Sequence, residues 1–140
     1  MDEQREELEQ IIEMINQYRE QNNQIYAQLN LVSESIDEHR IARETIKRYK
    51  DTEQGSEALI PIGGNVYIKA NVSADKKVIL GIGANYTMEK SIDECIDSLN
   101  SRISALESGR DKLSENIKVL ESRIKELTNR GESLARSLEG

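Results

Sequence analysis

The stretch "LIPIGGNVYIKANVS", residues 59–73, decides how this chain folds. It alternates apolar with polar residues, holds the only proline, Pro61, and carries the adjacent glycines Gly63 and Gly64. Alternation marks a strand with two different faces, and paired glycines supply the positive φ of a tight hairpin turn. Further on, "KVILGIG" (residues 77–83) is nearly all apolar, and "YTMEK" (residues 86–90) runs toward a new helix. Four short strands are therefore expected, over residues 58–62, 66–72, 77–83 and 86–90, with Pro61 confining the first to an edge or end. Gly63-Gly64, Ala74-Asp75-Lys76 and Ala84-Asn85 are the expected turns. Strands this short bury little alone and leave unpaired N–H and C=O groups along their edges. The insert thus reads as an assembly piece that completes its sheet with strands from other chains, in preference to a small self-contained sheet.

On both sides the character changes. From Leu8, steps of three and four land on Ile11, Ile15, Tyr18, Asn22, Ile25, Leu29, Val32, Ile36 and His39, slip by one residue, and continue through Ala42, Ile46 and Tyr49. From Ile92 the same steps run through Ile96, Leu99, Ile103 and Leu106 to Leu134 and Leu138, with only Arg110 and Gly131 breaking the apolar series. Such spacing means coiled-coil stripes, each on a proline-free helix of about 50 residues, or roughly 75 Å. Helices of equal length on either side of a compact insert are expected to fold back as an antiparallel pair, because each stripe alone would be a large exposed apolar strip. The fold class is α+β: a long antiparallel two-helix coiled coil with two β-hairpins inserted. Its parts are a first helix (1–53), a double hairpin for assembly (54–90) and a second helix (91–140).

Composition agrees. The 140 residues are 36% hydrophobic and 32% charged, without Trp or Phe, which suits a core that is a seam. The formal net charge of -7 argues against general affinity for nucleic acid, since phosphate binding needs a basic surface. Acidity concentrates in residues 1–31, where seven acids face two bases. Cys95 has no second cysteine to pair with, no apolar run approaches the ~20 residues of a membrane span, and the polar start "MDEQREELEQ" is no signal or transit peptide. A soluble cytoplasmic protein is expected.

Catalytic chemistry finds little support. "GIGANY" (residues 81–86) resembles half of a dinucleotide fingerprint, yet it lacks the third glycine, and the helix after it opens on acidic residues. His39 is the only histidine, has no partner at metal-ligand spacing, and reads as a polar seam residue. Cys95, beside the seam, reads as a buried structural thiol. The carboxylates lie on solvated helix faces. We expect neither enzyme nor cofactor nor metal. Asn22 and Arg110 put polar groups in the stripe, and Gly109 and Gly131 weaken the second helix. These read either as tolerated drift or as a helical tip looser than the rest.

"LIPIGGNVYIKANV" and "KVILGIGANYTMEK", flanked by long heptads, resemble the prefoldin family, and more closely its alpha-class subunits of archaeal type. The resemblance covers almost the whole chain. It implies a hexamer of two alpha and four beta subunits whose hairpins form a β-barrel body from which the coiled coils hang. It also implies ATP-independent holding of unfolded clients and delivery to a group II chaperonin. On that reading Leu8, Ile11, Ile12, Leu134, Ala135 and Leu138 at the tips are expected to bind client. Val66, Ile68, Val78, Leu80 and Ile82 are expected to hold the assembly, with Gly63 and Gly64 turning the first hairpin. The competing reading is a structural coiled-coil adaptor that binds one native partner.

Overall fold

The computed structural model describes residues 2–73 and 75–140. Helix α1 spans Asp2–Asp51 and helix α2 spans Ile92–Glu139. Between them lie β1 (Glu57–Gly63), β2 (Val66–Asn71), β3 (Val78–Gly83) and β4 (Tyr86–Lys90). Strands β1 and β2 form one antiparallel two-stranded sheet and β3 and β4 another. This is the helix, double hairpin, helix architecture expected from the sequence. The second expected turn includes Ala74, which lies outside the described residues.

The two hairpins turn in the same way. In the first, Gly63 pairs with Val66, leaving Gly64 and Asn65 as the two central residues, both at positive φ (58° and 60°). In the second, Gly83 pairs with Tyr86 across Ala84 and Asn85, at 49° and 64°. Positive φ at both central positions is the type I′ condition that suits the right-handed twist of paired strands. The first turn is thus centred one residue later than Gly63-Gly64. Gly63 and Gly83, at φ 107° and 106°, instead end their strands beside a register shift in each ladder. Strand β2 ends at Asn71, and Val72 then bonds to the two residues that precede β1. Its N–H donates to the Ser56 carbonyl at 2.9 Å, and its carbonyl accepts from Gly55 N–H at 3.1 Å.

The chain packs as two compact units. One comprises Met1–Ser35 and Leu106–Gly140. Here the heptad positions face inward: Ile11, Ile117 and Leu120 are buried, and Leu8, Ile15, Tyr18, Ile25, Leu29, Leu127 and Leu134 are half-buried. Glu7 pairs with Arg130, Tyr26 Oη donates to Glu121 Oε1 at 2.8 Å, and the Arg123 guanidinium lies 6.0 Å from the Tyr18 ring centre. Early residues meeting late ones fix the antiparallel sense.

The other unit is Ile36–Ala105. Its core joins Leu80 of β3 to Cys95 and Leu99 of α2, with Ala42 and Ile46 of α1 and Val78 packed against them. Polar contacts tie the same elements. Lys50 Nζ donates to Asp93 Oδ1 at 2.8 Å, Arg43 Nη1 to Asn100 Oδ1 at 2.8 Å, and Arg102 Nη2 to the Gly81 carbonyl at 2.6 Å. Lys76 Nζ donates to the Lys50 and Thr52 carbonyls, covering backbone acceptors that the end of α1 leaves without helical partners. Ser91 caps helix α2: its Oγ accepts from Glu94 N–H at 3.2 Å and donates to Glu94 Oε1 at 2.9 Å.

Candidate functional site: hairpin faces and helix ends

The hairpins leave much of their apolar surface uncovered. Leu59, Ile60, Ile62, Val66, Tyr67 and Ile68 of the first are all exposed, as are Ile79, Ile82, Tyr86 and Met88 of the second. Alternation would place neighbouring residues on opposite faces, so both faces of the first hairpin are apolar. Each two-stranded sheet also has outer edges whose N–H and C=O groups lack a strand partner among the described residues.

The five residues expected to hold an assembly fall into two groups. Val66, Ile68 (52% exposed) and Ile82 are open to solvent. Leu80, at 8%, and the half-buried Val78 belong to this chain's own core. Periodicity had put Val78, Leu80 and Ile82 on one face. The register shift between Gly81 and Gly83 leaves Ile82 outside the paired ladder, and this bulge separates it from Leu80.

At the helix ends, Leu8, Leu134, Ala135 and Leu138 are half-buried, Ile12 is 50% exposed, and Ile11 is only 4% exposed. The seam is therefore closed over Ile11, and Ile12 stands beside it. A groove of about 280 Å³ opens here, with Leu8, Ile11, Ile12 and Ile15 on one side and Gly131 and Ala135 on the other. A Cβ added at Gly131 would sit 3.5 Å from Ile11 Cγ2 and 3.7 Å from Leu8 Cδ1, in ordinary contact with two residues that line the groove.

"GIGANY" is the end of β3 and the second hairpin turn, and a strand follows it, whereas a phosphate-binding loop opens a helix. Cys95 is buried in the core, and His39 is half-buried on α1. Among the described residues no three His, Cys, Asp or Glu side chains are grouped to hold a metal ion, and no helix is long and apolar enough to cross a membrane. Sequence reasoning missed the Ser91 cap, although "SIDE" at residues 91–94 carries its Ser-x-x-Glu signature. It also missed the groove, for which Gly131 and Ala135, four residues apart opposite an isoleucine cluster, were the available signal.

Large apolar side chains stand exposed on the hairpins and beside the seam at the helix ends, a surface that other chains can cover. The Prefoldin subunit family model matches residues 18–136. The prefoldin subunit alpha of Methanopyrus kandleri is 33% identical over 112 residues, covering 80% of this chain and 71% of that protein. That of Methanoregula boonei is 30% identical over 134 residues, covering 96% and 87%. The cryo-EM structure of filamentous prefoldin from Methanocaldococcus jannaschii superposes with a TM-score of 0.73 at 24% identity, covering 84% of this chain and 98% of that one. The chain belongs to the prefoldin subunit family, as an alpha-class member of archaeal type, and is a prefoldin-type chaperone subunit.

Proposed function

We propose that this chain is the alpha subunit of an ATP-independent holdase, assembled with beta-class subunits as two alpha and four beta. It captures unfolded proteins at its helix tips and passes them to a group II chaperonin in the cytoplasm. The observation that carries this reading is the exposure of large apolar side chains on hairpins that are only two strands wide. Covering such a residue is worth about 1.5–3 kcal/mol, so partner strands that extend the sheets gain both burial and backbone hydrogen bonds. Val66, Ile68 and Ile82 are the residues we assign to that contact, supported by Leu80 and Val78 from within. The filamentous state named for the M. jannaschii neighbour supports assembly as the habit of this fold.

A holdase needs weak apolar contacts at several points, which together give avidity without tight single sites. Leu8, Ile12, Leu134, Ala135 and Leu138 are the client-binding residues in this reading, and Ile11, buried in the seam, supports them from within. It involves no nucleotide, metal or catalytic residue. The test is the mass of the complex formed with a beta-class subunit, followed by truncation of about ten residues at each end of this chain. Assembly is expected to survive truncation. Suppression of light scattering by a denatured client, diluted in without ATP, is expected to weaken. A stable homodimer that ignores the beta partner would replace this reading with the adaptor.

A further inference from the structure

The holdase reading leaves open what kind of segment the tip receives, and the groove at Gly131 has two parts that answer this. The first part is apolar, formed by Leu8, Ile11, Ile12 and Ile15 against Gly131 and Ala135. Its volume, about 280 Å³, exceeds the roughly 150 Å³ of a buried cavity that accepts benzene, so one large aliphatic or aromatic side chain fits. The second part is a neighbouring concavity of about 440 Å³ that shares Asn16 with the first and is lined by Glu13, Gln17, Glu20 and Gln21. Arg19 and Glu132 also line the apolar part, one base and one acid.

Charge around the site is one-sided. Residues 1–31 hold seven acids against two bases, whereas residues 106–140 hold seven of each. The field at the groove is therefore negative, and it comes from the α1 side, where Glu13 and Glu20 lie. We propose that the groove selects non-native segments in which a large apolar side chain is followed within a few residues by lysine or arginine. The apolar side chain enters beside Gly131, and the cation lies along the Glu13–Glu20 surface, where a long aliphatic stem also packs favourably. This proposal rests on the holdase reading and adds client selectivity to it.

The probes are two short unstructured fluorescent peptides with identical leucines, one flanked by lysines and the other by glutamates. Binding is followed by anisotropy to the complex of this chain with beta-class partners, the partners being the same in every arm. The lysine peptide is expected to bind about five-fold more tightly at low salt, and the preference should shrink as salt is raised. Glu13→Gln with Glu20→Gln should shrink the preference to about two-fold and leave thermal melting unchanged. Gly131→Leu should weaken binding of both peptides while making the helix more stable, since glycine is a poor helix former. Gly131→Ala should move both readouts the same way by less. Equal binding of the two peptides, a preference undiminished in the double Gln variant, or full affinity in both Gly131 variants would each overturn the proposal. If the wild-type complex also fails to keep a denatured client from aggregating, the holdase reading falls with it. If it does so without discriminating between the peptides, only the selectivity falls.

Discussion

Single residues show where the chain departs from its own pattern, and each departure has a measurable consequence. Asn22 occupies a seam position, and its Oδ1 is buried with no hydrogen-bond partner among the described residues. Asn22→Leu should therefore raise stability by about 1–2 kcal/mol, read from the denaturant midpoint. Ala84 sits at φ 49° where the first hairpin has Gly64. A left-handed alanine costs about 1–2 kcal/mol, and glycine's extra chain entropy returns part of that, so Ala84→Gly should stabilise by about 0.5 kcal/mol. Tyr26 is held above the usual tyrosine pKa by its hydrogen bond to Glu121, then by partial desolvation and the Glu121 charge. Its folded pKa is raised, so this contribution is complete below the unfolded value of about 10 and is lost as pH rises through the folded one. In an alkaline titration of tyrosinate absorbance, a step above the usual tyrosine range should disappear in Tyr26→Phe and shift to lower pH in Glu121→Gln.

At the level of elements, the sequence was most legible where a periodicity repeats. Every heptad position read from Leu8 to Tyr49 and from Ile92 to Leu138 is buried or half-buried, because a seam shared by two helices leaves each apolar residue one place to go. The hairpins were legible in number and order, since glycine and asparagine at positive φ announce the turns. Which face of each strand the chain covers was not legible. That depends on the bulges between Pro61 and Gly63 and between Gly81 and Gly83, and on Arg102 reaching the Gly81 carbonyl from α2. The consequence is a sharp contrast between two strand residues. Ile68→Asp should dissociate the complex in size-exclusion chromatography and leave helical circular dichroism intact. Leu80→Asp should also lower the melting temperature of the subunit itself, because it puts a charge into the core around Cys95. The groove at the helix ends was the least legible feature, since glycine at a seam position, Gly131, carries no side chain for a periodicity to register.

For the molecule as a whole, charge and packing divide along the same line. The unit built from Met1–Ser35 and Leu106–Gly140 holds nine bases and fifteen acids, a side-chain charge of -6. The unit Ile36–Ala105 holds ten bases and eleven acids, or -1. A strongly charged unit repels its copies and keeps its apolar residues in solution, whereas a nearly neutral one lets copies approach. The second unit also has its own core, the Lys50–Asp93 pair and both hairpins. A fragment of residues 36–105 should therefore elute together with beta-class partners and give no protection to a denatured client. Failure to co-elute would mean that the hairpins need the longer coil to be presented.

Cys95 is the sole sulfhydryl of the chain, and at 2% exposure it lies where β3 meets both helices. That makes it a chemical clock. A thiol reagent can reach it only when this core opens, so the labelling rate, divided by that of a free thiol, gives the population of the opened state. No mutation or added probe is needed, and one site gives one signal. Partners that bind only the closed core lower that population in proportion to their saturation. The fall in labelling rate on adding beta-class subunits would measure how tightly such an assembly holds this core shut.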